Sequence, residues 1–225
     1  MNIDLNPFGL SLLLAGYTTI ILFFLTFPLA YLLACRDFRF KPLVEAVTSL
    51  PLILPPTVLG FYLLLLFSPN GPIGGFFLAR LGVRLVFSFT GMVIASCVYS
   101  LPFMVQQLKT GLMAIPRSLR EASEILGKST MVTIIRVILP NMKPALVSAF
   151  GMTFAHTMGE FGVVLMIGGS IPGKTKVASI ALFDMTEALD FGSAHILALL
   201  LVGISLFILT LINLFNNRAG CRQKK

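Results

Sequence analysis

The chain has 225 residues, of which 56% are hydrophobic and 12% are charged. Soluble domains carry about a quarter charged residues, so this composition excludes an ordinary soluble enzyme. A net charge of +8 would suggest a nucleic-acid partner in a soluble protein. Here the placement of basic residues between apolar segments is explained by membrane topology instead, and we expect no nucleic acid to bind.

Five apolar segments are long enough to cross a bilayer, which takes about 20 mostly apolar residues. They predict an all-α integral membrane protein with a single transmembrane domain over residues 1–225. The first segment has no basic flank and no clear cleavage site after it, so we expect a retained helix rather than a signal peptide. The predicted spans cover residues 10–35, 46–67, 86–106, 145–167 and 193–215.

Basic residues are concentrated after the first span, between the third and fourth spans, and after the fifth span. Cytoplasmic loops of membrane proteins carry an excess of Lys and Arg. The distribution therefore predicts an N-terminus outside the cell and a C-terminus in the cytoplasm, as an odd number of spans requires.

The second span contains three prolines, Pro51, Pro55 and Pro56. Each removes a backbone donor, so we expect the helix to bend or break there. One interpretation is a kinked helix packed in a bundle. The other is a wall of a translocation path, because discontinuous helices mark substrate sites in some transporters.

The longest polar stretch, residues 109–144, lies on the predicted cytoplasmic side. Ser118 and Glu121 have the spacing of a capping box at the start of a short helix. Gly127 suits the end of that helix, with a positive φ. A second helix is expected to stop before Pro140, which gives a helix–turn–helix hairpin.

The fourth span carries His156 and Glu160, which four-residue spacing would place on one helix face. Ionisable residues inside a membrane normally face the protein interior. We expect Glu160 to have a structural role, hydrogen-bonded to His156 or to a neighbouring helix. Gly159 and Gly162 offer small surfaces for close packing.

Residues 168–175 fit the P-loop pattern GxxxxGK[ST]. A true P-loop follows a β-strand and opens a helix whose amides cradle phosphate. This segment instead follows a membrane span on the predicted outer side, so we interpret it as a false match. No enzyme signature such as HExxH or GxSxG is present, and we expect a non-catalytic chain without a cofactor or metal of its own.

The cytoplasmic hairpin resembles the EAA loop of ABC importer permeases. It has Glu121-Ala122-Ser123, then Gly127, then an ending with Leu139 and Pro140. The resemblance implies that a separate ATPase, which binds the ATP, docks on this hairpin. The residues assigned to coupling are Glu121, Ala122, Ser123, Gly127, Leu139 and Pro140. The basic residues Arg117, Arg120 and Lys128 are expected to face lipid headgroups or, less favoured, the ATPase.

Three further segments resemble molybdate permeases: residues 51–60, the 156–162 segment shared with sulfate permeases, and the 168–175 loop. The resemblance implies a type I ABC importer fold in a bacterial plasma (inner) membrane, a homodimer in contact with membrane lipids, and an extracytoplasmic oxyanion-binding protein. The residues assigned to the pathway or its structure are Pro51, Pro55, Pro56, His156, Gly159, Glu160 and Gly162.

Alternatives remain open from the sequence. Molybdate, tungstate, sulfate and thiosulfate are not separated by the residues themselves, and only the resemblance favours molybdate. A transporter or channel driven by an ion gradient is the rival class, although it would have to explain the hairpin without an ATPase.

Overall fold

The computed structural model describes the backbone of residues 5–223 and the side chains up to residue 216. This part of the chain is helical and contains no β-strand, which confirms the predicted all-α class. The elements in chain order are α1 (Asn6–Cys35), α2 (Lys41–Ile53), α3 (Pro56–Phe67), α4 (Pro72–Leu81), α5 (Phe89–Met113), α6 (Arg117–Ile125), α7 (Thr130–Thr133), a π-helical turn (Ile134–Ile138), α8 (Leu139–Asn141), α9 (Lys143–Gly159), α10 (Gly162–Gly168), α11 (Ala178–Glu187) and α12 (Phe191–Gln223).

Three helices, α1, α5 and α12, are each long and apolar enough to cross a membrane. The second predicted span consists of α2 and α3, whose axes differ in direction by 109°. The fourth predicted span consists of α9 and α10, which are separate helices, and a further bend of 79° precedes α9. The chain is therefore a multi-pass membrane protein with up to five spans, two of which are discontinuous.

The core is formed where α1, α5 and α9 pack together. Leu14 and Leu22 of α1 belong to the same buried apolar cluster as Met104 and Leu108 of α5, and all four side chains are fully buried. Burying each such side chain contributes about 1.5–3 kcal/mol in water, but lipid is itself apolar, so close packing matters more here.

Close helix approach depends on two glycines. A Cβ on Gly111 of α5 would lie 2.3 Å from that of Ala145 on α9, and a Cβ on Gly151 would lie 2.3 Å from Ile212 of α12. Neither position has room for a side chain. The expectation that small residues in the fourth span allow tight packing is confirmed at Gly151.

A helix that the sequence did not predict follows α3. Residues 72–81 form α4, which packs against α3 and ends at Gly82 with φ of +66°. Glycine adopts this left-handed conformation without the steric cost that a Cβ brings.

Candidate translocation site and coupling hairpin

The two discontinuous spans touch each other close to their breaks. A Cβ on Gly162, the first residue of α10, would lie 2.8 Å from Cβ of Pro56, the first residue of α3. One turn along, Gly60 approaches Met166 in the same way, at 3.0 Å. We call the Pro56–Gly162 approach the break contact. It brings together two of the residues that the sequence assigned to the pathway.

The break between α2 and α3 follows from its prolines. Leu54 is extended (φ −70°, ψ 138°), as expected for a residue that precedes proline. Pro55 is extended too, and Pro56 then opens α3. Because Pro55 and Pro56 lack N–H groups, the carbonyls of Pro51 and Leu52 have no helical donor four residues on. The predicted break is confirmed, and Pro51 lies buried inside α2.

The break between α9 and α10 has no proline to cause it. Glu160 is extended (φ −66°, ψ 130°) and Phe161 has φ −122° and ψ −58°. Gly159 and Gly162 flank these two residues. The prediction of one continuous fourth span was wrong, and so was the placement of His156 and Glu160 on one helix face, because the helix ends between them.

Glu160 is 4% exposed, and neither of its carboxyl oxygens forms a hydrogen bond with the described residues. Ser96 of α5 lies beside the carboxyl, with its own hydroxyl also unpaired. The backbone of Glu160 is fixed, because its carbonyl accepts a hydrogen bond of 2.6 Å from Ser179 of α11. The predicted hydrogen bond between Glu160 and His156 is absent.

His156 bonds to α5 instead. Its Nδ1 lies 2.9 Å from Oγ of Ser100. Two aromatic rings of α5 pack on the imidazole, with centroid distances of 4.9 Å for Tyr99 and 4.0 Å for Phe103. His156 is half-buried and Gly159, one turn on, is exposed. The imidazole therefore packs against α5 one turn before the break between α9 and α10.

The hairpin begins differently from the prediction. Pro116 (φ −56°, ψ 136°) is the N-cap of α6, and no side chain caps the helix. Ser118 is the second residue inside the helix, so the predicted capping box with Glu121 was wrong. Gly127 has φ of +66°, as predicted. Its N–H and that of Lys128 close the end of the helix by bonding to the carbonyls of Glu124 and Ser123.

Pro140 does not stop the second helix of the hairpin. The helix continues through it to Asn141, because the π-helical turn comes immediately before. In this wider turn the N–H of Leu139 bonds to the carbonyl of Ile134, five residues back. The chain then turns at Met142, where φ is −100° and ψ is 18°.

The residues that the sequence assigned to coupling divide into an exposed and a buried set. Glu121 and Ala122 are exposed on α6, as are Gly127 and Pro140. Leu139 is half-buried. Ser123 is buried, and its hydroxyl lies 2.8 Å from that of Thr133 on α7. Ser123 therefore joins the two arms of the hairpin, while the exposed residues are available to a partner.

Arg120 has a structural contact that the sequence did not reveal. It was expected to face lipid headgroups or the ATPase. Instead Nη1 donates to Sγ of Cys35, the last residue of α1, and Nη2 donates to the carbonyl of Leu112 near the end of α5. Both distances are 2.6 Å. Arg120 thus attaches the hairpin to the ends of two membrane helices. The contact with Cys35 joins residues 85 positions apart in the sequence, and no periodicity in the sequence predicts it.

The P-loop look-alike is a closed turn. The amides of Lys174, Thr175 and Lys176 all donate to the carbonyl of Ile171. The hydroxyl of Thr175 donates to the carbonyl of Gly168 at 2.7 Å and accepts from the N–H of Ile171. These donors are used within the turn, which follows a helix and not a strand, so the segment offers no phosphate cradle.

Comparison with known proteins agrees with this architecture. Residues 26–220 match the family model described as binding-protein-dependent transport system inner membrane component. A molybdenum transport system permease, ModB of Azotobacter vinelandii, is 45% identical over 96% of this chain and 94% of its own. A sulfate transport system permease, CysT of Escherichia coli, is 33% identical over 86% of this chain and 70% of its own.

Solved structures of low sequence identity share the fold. A bacterial ABC transporter involved in import of the acidic polysaccharide alginate has a TM-score of 0.77 at 15% identity, covering 97% of this chain and 80% of its own. The MetNI methionine ABC transporter has a TM-score of 0.68 at 17% identity, covering 95% and 92%.

The discontinuous spans, the family match and these fold relatives define the class as the membrane permease of a type I ABC importer. The chain belongs to the family of binding-protein-dependent transport system inner membrane components. Permeases of this family are non-catalytic membrane subunits, and the chain is an ABC importer permease homologous to molybdenum transport permeases.

Proposed function

We propose that this chain is the permease subunit of an ATP-driven importer of molybdate. Two copies form the translocation pathway, and the hairpin 117–140 couples each copy to a separate cytoplasmic ATPase. The assignment of molybdate as the substrate rests on the identity of 45% to the molybdenum transport permease, over almost the whole of both chains.

The homodimer is supported by the exposure of the broken backbone. Ile53 is 79% exposed, and Pro55 and Gly159 are exposed beside the two breaks. Non-helical backbone at membrane depth is tolerated only where it is buried in protein or lines a wet cavity. This exposure supports a surface that faces a second copy of the chain or a water-filled path rather than lipid.

A cytoplasmic ATPase partner is supported by the apolar surface of the hairpin. Ile125 and Leu126 are 85% and 72% exposed at the end of α6, and Met131 is 64% exposed on α7. Such side chains at the tip of a polar loop favour a protein contact. An external binding protein is supported by the family, and by the alginate transporter solved in complex with its periplasmic protein.

Sulfate import is the second candidate. Several sulfate permeases, including one from Chlorokybus atmophyticus that is 33% identical over 94% of this chain, share the family. Uptake of labelled molybdate into cells that lack their own permease tests the choice. We expect unlabelled molybdate or tungstate to abolish uptake and a large excess of sulfate to leave most of it; strong inhibition by sulfate and weak inhibition by molybdate would support the second candidate.

The proposed orientation places the N-terminus outside and the C-terminus in the cytoplasm of a bacterial cell. Cysteine accessibility tests it at exposed positions of both sides. We expect single cysteines at the exposed positions Asn70 and Gly173 to react with an impermeant reagent from outside, and a cysteine at Glu124 to react only after permeabilisation. An external Glu124 would contradict the proposal, because the hairpin could not meet an ATPase.

A further inference from the structure

The hydrogen bonds beside His156 have a direction that follows from counting protons. Oγ1 of Thr157 donates its only proton to the carbonyl of Thr153, at 2.9 Å, because a carbonyl can only accept. Thr157 must therefore accept in its 3.0 Å contact with Oγ of Ser100. Ser100 has then used its own proton, so it accepts from Nδ1 of His156 at 2.9 Å.

The opposite direction fails. If Ser100 donated to Nδ1, the hydroxyl oxygens of Ser100 and Thr157 would lie 3.0 Å apart with no hydrogen between them. Two facing lone pairs repel each other. A neutral His156 thus carries its proton on Nδ1, and its Nε2 presents a lone pair.

Nε2 is open to a ligand. It forms no hydrogen bond with the described residues, and it is not among the polar atoms that the protein encloses without a partner. The ring is held by Tyr99 and Phe103, which are both half-buried, and it lies one turn before the exposed Gly159. This position is next to the break between α9 and α10 and, under the proposed function, lines the pathway.

We propose that His156 contacts the transported oxyanion through Nε2, and does so only after Nε2 has taken up a proton. This inference rests on the proposed function. Molybdate and sulfate are dianions without a hydrogen to donate at neutral pH, so they are repelled by a bare lone pair. The imidazolium donates from both nitrogens, which keeps the bond to Ser100 and adds a charge-assisted one to the anion. The proton comes from water and returns to it when the anion leaves.

Few titratable groups surround the imidazole. Tyr99 is in ring contact with it. Glu160 follows one turn later in the chain and lies near Cys97 and Tyr99 of α5. The other titratable side chains on the described helices that pack against α9 form no hydrogen bond or ion pair with His156: Tyr17, Tyr31 and Cys35 on α1, Lys109 on α5, Asp184 and Glu187 on α11, and His195 on α12.

The first test is the tautomer. His195→Gln leaves His156 as the single histidine of the permease. Spectra of the permease–ATPase complex in nanodiscs, assembled from ¹⁵N-histidine-labelled permease and unlabelled ATPase, report which nitrogen carries the proton. We expect the Nδ1–H form in this background. Adding Ser100→Ala should allow the Nε2–H form. Adding Ser96→Ala, which removes a buried hydroxyl of the same helix that lies beside Glu160 and does not contact His156, should change nothing. An Nε2–H ring with Ser100 intact would overturn the inference.

The second test is transport as a function of pH in proteoliposomes that contain the complex and the binding protein. If only the protonated ring binds the anion, KM rises about tenfold per pH unit above the pH at which the ring titrates, because the competent fraction falls by that factor. His156→Gln, whose amide donates at every pH, should give a flat profile, and Ser100→Ala should flatten it in part. The maximal rate of ATP-driven uptake, measured in the same vesicles, separates any effect of pH on the ATPase from the effect on KM.

The two proposals fail in different ways. Active wild-type transport whose KM does not change with pH would overturn the role of His156 and leave the proposed function intact. A complete complex that takes up neither molybdate nor sulfate would overturn the proposed function, and with it the anion contact.

Discussion

The Cβ atom that Gly162 lacks would lie 2.8 Å from Cβ of Pro56, so two broken helices from distant parts of the chain meet at the residues that follow their breaks. Each break alone would leave backbone groups without partners at membrane depth. Together they form one irregular layer beside α5, with His156 and Glu160 at its edge. In some transporters, discontinuous helices of this kind form the substrate site, because their irregular backbone leaves polar groups free to contact the substrate.

The break contact can be tested by filling it. Gly162→Ala should destabilise the protein by about 1–3 kcal/mol, because the added methyl group has no room beside Pro56, and should reduce uptake. Gly203→Ala is the matched control, since a Cβ there meets nothing within 4 Å. The measurement is the thermal unfolding midpoint in detergent together with uptake in cells. Equal behaviour of the two variants would mean that the helices do not approach closely.

Gly127 tests the shape of the hairpin. With φ of +66° and open space around it, Gly127→Val should cost roughly 1–2 kcal/mol from backbone strain alone. The spans are untouched, so the protein should still reach the membrane, while ATPase retention on the purified permease and molybdate uptake should both fall. Gly127→Asn is the control, because asparagine tolerates the left-handed region. Normal ATPase retention and uptake in the valine variant would show that the hairpin is only a loop.

Glu121→Ala tests whether this side chain contacts the ATPase. The side chain is exposed and does not cap α6, so its removal should leave stability within about 0.5 kcal/mol. Weaker ATPase association at unchanged stability is the expected result, measured by co-purification and thermal unfolding of the same preparation. A lower unfolding midpoint with normal association would instead assign Glu121 to the fold.

Much of the fold could be predicted from local signals. Three prolines predicted the first break because each removes a backbone donor, and Gly127 predicted a positive φ because it follows a short amphipathic helix. The second break lacked such a signal, since Glu160 and Phe161 are not helix breakers. The capping box failed because Pro116 starts the helix earlier than Ser118. The contacts of Arg120 could not be read at all, because Cys35 is 85 residues away in the sequence.

Arg120 tests how the hairpin is attached. Arg120→Ala removes the hydrogen bonds from the guanidinium to Sγ of Cys35 and to the carbonyl of Leu112, which should cost about 1–3 kcal/mol. Uptake should fall further than ATPase binding, because the docking surface on α6 stays in place while its connection to α1 and α5 is lost. Arg117→Ala, on the exposed side of the same helix, is the control. Identical uptake for the two variants would exclude Arg120 from coupling.

Glu160 gives a prediction opposite to that for a hydrogen-bonded carboxyl. Neither oxygen accepts a hydrogen bond of good geometry, although the hydroxyl of Ser96 lies beside the carboxyl, so Glu160→Leu breaks no well-formed hydrogen bond and should keep stability. Folded yield and the unfolding midpoint measure this. A fall of several degrees in the leucine variant, absent from Glu160→Gln, would show that the carboxyl has a partner in the assembled protein. Loss of uptake with a normal fold would assign Glu160 to transport.

ATP-driven uptake by a reconstituted system tests the proposed function most directly. The permease, its ATPase and the oxyanion-binding protein are placed in proteoliposomes with ATP on the ATPase side and labelled molybdate outside. We predict accumulation that requires ATP and the binding protein and that Gly127→Val abolishes. Accumulation driven by an ion gradient without ATP, or by the permease without its ATPase, would contradict the assignment.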